Sequence, residues 1–579
     1  MRLSTDPKRD EELAEQTIAA ALDAGITVFD TAHAYGRDEH DLGHNERLLA
    51  RSLTRATSWT PARIRIPARV VTKGGMTRAG GGWVPDGRAK ALRADCEASL
   101  IALGGLPIDL YLIHAPDPRT PWRTSVRALQ SLLDDGLVPR VGLSNINLPQ
   151  LDEALTVVPV AAVQVALSVY DDKALRSGVL ERCEQHGIVV IAHSPLGGPR
   201  RASSLARNQP LAESALAWLL ERSPNVVAIP GARRPETVRS AARAADLELG
   251  AEQTEALHRA FAVARPRPAR TGAAPSAASN DGPEVVLIMG IPGAGKTRLA
   301  KSYASRGYLR LNRDERGGAL RELAEALDHE LGTGTRRVVL DNTYLTRTAR
   351  SYVVDVAGRH GTPVRCVWLE TPLAQAQVNL VERLLDRFGA LPRPDELREL
   401  ARREPGALAP TQQMRTVREL EAPSADEGFA SIEVKAFTRA RDTDRPRAGV
   451  FVAAAALRSP EWQRLLRDAN RAAPHLVFDW RPDGTPEDLS SLLEQLRVAL
   501  APDTPIDAAL CPHAGGPPRC WCRPPLPGLP LAFARAQDVD PARSILIGAS
   551  SAHRTLANAL GARYVATTEP DRRRAAERR

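Results

Sequence analysis

Residues Gly290-Ile-Pro-Gly-Ala-Gly295-Lys296-Thr297 form a complete G-x-x-x-x-G-K-[ST] segment, and the apolar run Val285-Val-Leu-Ile-Met289 leads into it. This is the sequence of a buried strand, a glycine-rich turn and a helix starting near Arg298. In that context the backbone N–H groups of a loop carrying Gly290, Gly293 and Gly295 cradle phosphates. Lys296 is placed to reach the β- and γ-phosphates, and Thr297 to hold Mg²⁺. One part of the chain is therefore predicted to be a three-layer α/β domain that binds ATP or GTP.

The remainder needs other folds. At 579 residues the chain exceeds what one core can organise, and three or four domains are expected. No run of 18 apolar residues occurs, so no membrane span is predicted. The start, Met1-Arg-Leu-Ser-Thr-Asp-Pro, lacks the apolar stretch of a signal peptide. Six cysteines make no disulfide framework at this length, which predicts a reducing, cytoplasmic setting. The net charge of +9 fits a nucleic-acid partner, and equally an arginine-rich coding bias. Lysine stands only at 8, 73, 90, 173, 296, 301 and 435. Where Arg is the default cation, a Lys marks a place that needs a compact ammonium.

The stretch 264–282 has almost no large apolar residues and reads as a flexible linker. A second break falls at 438–447. The division is 1–263, 283–437 and 448–570, followed by a charged tail at 571–579.

In 1–263, short β-type runs alternate with amphipathic helices. Strands are predicted at 26–30, 69–73, 109–114, 140–145, 162–165, 189–194 and 226–230, with helices at 11–24 and 211–221 among the connections. This repetition predicts a (β/α)₈ barrel with its chemistry at the C-terminal strand ends. Asp30, Lys73, His114, Ser144, Asn145, Gln164 and Ser194 fall at those ends.

Phe29-Asp30-Thr-Ala-His-Ala-Tyr35-Gly, Thr72-Lys73-Gly-Gly, Leu112-Ile-His114, Gly142-Leu-Ser-Asn145, Ser194-Pro-Leu-Gly-Gly and Ile229-Pro-Gly-Ala-Arg-Arg-Pro235 follow one another in the order of the aldo-keto reductases, which the segment resembles. The resemblance implies hydride transfer from NADPH to a carbonyl substrate. Tyr35 would be the acid, Lys73 its tuner, Asp30 the partner of Lys73, and His114 the residue orienting the carbonyl. A free Tyr is a poor donor at neutral pH, and an adjacent Lys⁺ favours the phenolate. Ser144, Asn145 and Gln164 would hold the carboxamide, with Ser194 also at the cofactor. Arg233 or Arg234 would pair with a 2′-phosphate. Three departures are visible: the family's first strand would end near Met1, Ser240-Ala241 replaces an adenine-clamping pair, and His193 replaces a stacking aromatic residue.

After the phosphate loop come Leu311-Asn-Arg-Asp314-Glu-Arg316 and Val338-Val-Leu-Asp341-Asn-Thr343. In this order they resemble the kinase domain of polynucleotide 5′-hydroxyl kinases, whose substrates are RNA or DNA 5′ ends. The resemblance makes Asp314 the general base, places Asp341 near the nucleotide, and makes Arg383 and Arg387 lid residues over the phosphates. Gly317 stands where the substrate-phosphate Arg is expected, so a small-metabolite acceptor stays open, as does a scaffold in which the flanking domains only bind.

Cys511-Pro-His513 and Cys520-Trp-Cys522 place four soft ligands within twelve positions, which suits tetrahedral Zn²⁺. Their surroundings, with Ser544-Ile-Leu-Ile-Gly-Ala-Ser550, resemble zinc-containing haloacid-dehalogenase-type phosphatases acting on histidinol phosphate or heptose bisphosphate. Ala453 and Ala455 stand where that family needs its Asp-x-Asp, Pro524 where it needs Lys, and Ala549 where it needs an acidic Mg²⁺ ligand. The resemblance thus implies a fold without its catalysis. Oligomeric state is not legible.

Overall fold

A computed structural model describes residues 2–59, 68–198, 201–202, 205, 209–261, 282–404, 406–438, 445–467 and 469–567. The linker 264–282, apart from Gly282, and the tail 571–579 lie outside these residues, as does most of the break at 438–447. The chain divides into two compact units, Met1–Thr271 and Gly272–Arg579. Among the described residues no helix is long and apolar enough to cross a membrane.

The first unit is built on a seven-stranded sheet: β1 (Val28–Asp30), β2 (Arg69–Gly74), β3 (Leu110–Ile113), β4 (Val141–Ser144), β5 (Val160–Ala166), β6 (Val189–His193) and β7 (Val226–Ile229). All are parallel and stand side by side in chain order, the arrangement of a nearly closed (β/α)₈ barrel. Each predicted strand is present within a few residues of its predicted ends. The eighth strand of a complete barrel is not among the described residues. Strand faces such as those of Val70, Ile113 and Val163 bury against helices, as parallel strands covered on both sides must. Helix α1 (Glu11–Asp23) starts where the Asp10 side chain accepts the Leu13 N–H at 3.0 Å. It ends before Gly25, whose φ is 81°.

The second unit carries two parallel sheets. One holds β8 (Glu284–Met289), β9 (Leu309–Leu311), β10 (Arg337–Asp341), β11 (Val364–Glu370) and β12 (Ser431–Ala436), in the order β9-β10-β8-β11-β12. The other holds β13 (Val450–Ala453), β14 (His475–Trp480), β15 (Ile506–Cys511), β16 (Ile545–Gly548) and β17 (Arg563–Ala566), in the order β15-β14-β13-β16-β17. Each places its first strand in the middle, so its connections diverge to either side of that strand's C-terminal end. Such switch points are where open α/β sheets bind ligands. The glycine-rich segment follows β8 at one of them. Cys511 lies at the end of β15, on the edge of the other sheet.

Candidate functional sites

Three clusters of chemistry-bearing residues stand at strand ends. In the first unit, β2 delivers Lys73, wholly buried, to the end of β1. The ammonium donates to Asp30 Oδ1 at 2.7 Å, Asp30 Oδ2 at 2.8 Å and the Thr31 carbonyl at 2.7 Å. It stands 3.3 Å from the Tyr35 hydroxyl and 5.0 Å from the Tyr35 ring centroid. Burial opposes the charge on Lys73, but Asp30 and Tyr35 outweigh it and its pKa is raised. Burial pushes the Tyr35 hydroxyl up, and Lys73 pulls it down by less. Lys73 thus pulls the Tyr35 pKa down as expected, while desolvation pushes it up by more.

His114, at the end of β3, lies edge-on to Tyr35 with ring centroids 5.6 Å apart. Burial lowers its pKa to about 3, with Lys73 adding to the effect, so the ring is neutral near pH 7. Its Nδ1 is buried without a partner, a polar atom left free at the mouth of the site. Asn145 and Ser194 both hold left-handed backbone, φ 58° and 52°. Asn145 Nδ2 donates to the His114 carbonyl at 3.0 Å and to Ser144 Oγ at 3.1 Å. His193 spans the same rim, Nε2 3.1 Å from Asn145 Oδ1 and Nδ1 3.2 Å from Ser194 Oγ. Gln164 donates to Asp30 Oδ2 at 2.7 Å, so it orients the carboxylate in addition to lining the site. Arg233 pairs with Asp6 at 3.2 Å, a carboxylate where a 2′-phosphate was expected. Arg234 precedes helix Pro235–Arg243 as its N-terminal cap residue.

Two residues here were missed by the sequence reading. Trp83 lies 6.1 Å from Tyr35 and 6.0 Å from His114, ring to ring, and is 44% exposed. Arg78 stacks on Trp83 at 4.0 Å and is buried with its Nε and Nη1 unpartnered. Both follow Lys73 on a Gly-rich loop with no periodicity to flag them.

In the second unit, Gly290, Gly293 and Gly295 all have positive φ, at 151°, 86° and 93°. A Cβ at Gly293 would lie 2.3 Å from the Ala376 carbonyl oxygen, so only glycine admits the close approach of helix α2 (Leu373–Phe388). Helix Lys296–Ala304 follows directly, with Thr297 in its first turn. Lys296 folds back onto the Gly290 and Ile291 carbonyls at 2.9 and 3.0 Å. Burial pulls its pKa down to about 8, against the charge of Asp341. Asn379 of α2 donates to the Gly293 carbonyl at 2.8 Å, and Gln413 to that of Pro292 at 2.9 Å.

Asp341 is buried, and its carboxylate is held by Arg310 at 2.9 and 3.0 Å and by Asn312 at 2.9 Å. It therefore fixes the turn bearing Asp314. Arg310 is a further residue the sequence reading missed. Asn312 accepts the Asp314 N–H at 2.7 Å, which presents the half-exposed Asp314 side chain. The charges of Arg383 and Asp314 both act on Lys296. Arg383 donates to the Gly406 carbonyl at 2.7 Å, and Arg387 pairs with Glu404. Arg387 is thus engaged with a carboxylate here.

The third cluster joins Cys511, His513, Cys520 and Cys522, the one group of its kind found among the described residues. Sγ of Cys511 lies 3.7 Å from that of Cys520 and 3.3 Å from that of Cys522. His513 Nδ1 lies 3.4 and 3.2 Å from the sulfurs of Cys511 and Cys522. A tetrahedral zinc with Zn–S near 2.3 Å has S···S edges of about 3.8 Å, so the donors fit such an ion. The Cys511 and Cys522 thiols pull the Cys520 pKa far down, favouring the thiolate a metal binds. At the ends of β13 and β16 stand Ala453, buried, and Ala549, whose N–H donates to His553 Nδ1 at 3.1 Å.

Comparison with known proteins places two of these segments. Residues 1–208 match the aldo/keto reductase family, and residues 285–404 match an AAA domain, here of the P-loop kinase-like kind. An uncharacterized oxidoreductase of Schizosaccharomyces pombe is 30% identical over 256 residues, which cover 43% of this chain and 78% of that protein. An aldo-keto reductase of Strobilurus tenacellus is 27% identical over 284 residues, 42% of this chain and 80% of that one. A glycerol dehydrogenase structure from Gluconobacter oxydans is 27% identical with a TM-score of 0.37, covering 45% of this chain and 89% of that one. An aldo/keto reductase from Klebsiella pneumoniae, solved with NADP and acetate, is 24% identical with a TM-score of 0.36, covering 46% and 91%.

Proposed function

Since the chain belongs, through its N-terminal domain, to the aldo/keto reductase family, we propose that residues 1–263 reduce a carbonyl with NADPH. The observation that carries this reading is Lys73, buried between the Asp30 carboxylate and the Tyr35 hydroxyl. NADPH would supply the hydride. Tyr35 would donate the proton to the carbonyl oxygen, and Lys73, kept charged by Asp30, would stabilise the phenolate left behind. His114, neutral at physiological pH, would hold the carbonyl by a hydrogen bond without adding charge. Ser144, Asn145, Gln164 and Ser194 would bind the carboxamide end. Arg233, released from Asp6, or Arg234 would meet a 2′-phosphate.

For residues 283–437 the reading is ATP-dependent phosphorylation of a hydroxyl, most simply a polynucleotide 5′-OH. Lys296 and Thr297 would bind triphosphate and Mg²⁺, Asp314 would take the hydroxyl proton, and Arg383 would neutralise charge on the transferred phosphoryl group. Residues 448–570 would keep a phosphatase-like sheet and a structural zinc but no phosphatase chemistry, since alanines replace the nucleophile and its acid. The setting is a cytoplasmic protein.

The test offers purified full-length protein NADPH with a panel of aldehydes, and radiolabelled ATP with 5′-OH RNA, 5′-OH DNA and a metabolite pool. Label on a polynucleotide end supports the kinase reading. Label only on a small molecule replaces the acceptor, and no label at all rejects the transfer reaction.

A further inference from the structure

Helix α2 serves two neighbours. One side reaches the phosphate loop through Asn379 and carries Arg383. The other side, Leu380, Val381, Leu384 and Leu385, is buried in one cluster with Phe451, Phe478 and other residues of the last sheet. Leu397 and Ala407, from the segment after α2, enter the same cluster. The flank is tied by ion pairs from Arg445 to Glu382 at 3.1 Å and from Arg535 to Asp386.

The Cys/His loop touches this segment at two points. Trp521, between ligands Cys520 and Cys522, is 1% exposed and donates Nε1 to the Leu408 carbonyl at 2.9 Å. Two residues earlier, the Gly406 carbonyl accepts Nη2 of Arg383 at 2.7 Å. Gly406 has φ 87°, and a Cβ there would lie 2.8 Å from Arg383 Nη2, so glycine leaves the space that the guanidinium occupies beside the chain. Leu391, just past α2, packs on Cys511, Cys520 and Cys522. A Cβ at Gly528 would come within 2.8 Å of that leucine.

We propose that a metal held by Cys511, His513, Cys520 and Cys522 positions Arg383 over the phosphate loop, through Trp521 and Leu391, and so makes phosphoryl transfer depend on a domain that does no chemistry. The proposal rests on the phosphotransferase reading of residues 283–437. Its logic is physical. Metal binding energy in a small Cys/His loop is folding energy. Without the ion, three cysteines and a histidine no longer fix Trp521, and the Leu408 carbonyl loses the buried Trp521 Nε1–H donor. Phosphoryl transfer is mostly positioning and charge neutralisation, so a displaced Arg383 lowers turnover. The phosphate loop is held separately by Asn379 and Gln413, so nucleotide affinity changes less.

Trp521 is thus a positioning residue. The test uses full-length zinc-loaded protein, the same protein after chelation, and the Trp521→Phe variant, which keeps an aromatic ring and loses the N–H together with part of the indole's bulk. Two quantities are read: hydrogen exchange of residues 389–409, and the kcat and ATP Kd of phosphoryl transfer. The expected result is faster exchange at 404–409 in both altered forms. With it comes a fall in kcat of about 10- to 100-fold, the cost of a small misplacement, and an ATP Kd within about threefold. Unchanged exchange and turnover after the metal has left would overturn the proposal. So would a loss confined to ATP affinity. If no acceptor is phosphorylated by any form, the phosphotransferase reading fails, while the exchange data still decide whether the metal loop holds the 404–409 segment.

Discussion

The Lys73 ammonium is wholly buried and contacts both oxygens of Asp30, at 2.7 and 2.8 Å. The pair joins two adjacent strands at the point where Tyr35 and His114 converge. Its burial means that each charge depends on the other.

Removing one partner strands the other. Lys73→Met should destabilise the first unit by about 3–5 kcal/mol, the usual cost of leaving a buried charge uncompensated. Pairing it with Asp30→Asn should recover much of that loss, because no ion is then buried. Denaturant unfolding of wild type, single and double variants checks this. A double variant as unstable as the single would mean that packing, not charge, sets the cost.

His114 gives the first unit an acid-side weakness. Burial lowers its pKa from 6.5 to about 3. Between those values the unfolded chain binds a proton that the folded unit refuses. The group's contribution is intact above pH 6.5 and is lost as pH falls below it, at a slope approaching about 1.4 kcal/mol per pH unit. His114→Asn should flatten the stability curve between pH 6.5 and pH 4. Parallel curves for the two proteins would contradict the assignment.

Lys296 should make nucleotide affinity sensitive to alkali. Burial sets its pKa at about 8 in the free protein. Bound phosphates favour the ammonium, so binding above pH 8 must take up a proton. Mg-ATP affinity should be level up to about pH 8 and then fall by up to about tenfold per pH unit. Calorimetry at pH 7, 8 and 9 in buffers of different ionisation enthalpy measures both the affinity and the proton. A level Kd to pH 9 would show that Lys296 does not meet the phosphates.

The Cys/His cluster should hold one zinc per chain, released by the Cys520→Ser/Cys522→Ser double substitution with loss of stability in the last sheet. The full chain should hydrolyse neither 3′-phosphate ends nor sugar phosphates. Metal analysis that finds no zinc rejects the first statement, and phosphatase turnover rejects the second.

Much of this is visible in local sequence, for identifiable reasons. Several strands of the first sheet are short apolar runs with a polar residue at or next to their C-terminal end, so Asp30, Lys73, His114 and Ser144 stand out by position as well as type. The phosphate loop is legible because glycine is required at φ values other residues avoid. Trp83 and Arg78 are silent because a Gly-rich loop has no period. Arg310 is silent because a half-buried arginine looks like any other in an arginine-rich chain. The packing of α2 is hidden more deeply. Its apolar spacing at Leu380, Val381, Leu384 and Leu385 says that a face is buried, not which sheet covers it. The net pKa of Tyr35 depends on how far burial outweighs a charge, and only coordinates give that balance.

The most direct test of the reductase account compares wild type with Tyr35→Phe for NADPH binding, by fluorescence, and for aldehyde-dependent NADPH oxidation, by absorbance. The account expects equal binding and a loss of turnover of about 10²–10⁴-fold, the usual worth of a positioned proton donor. Equal turnover in the two proteins, or a wild-type chain that binds no NADPH, would contradict it.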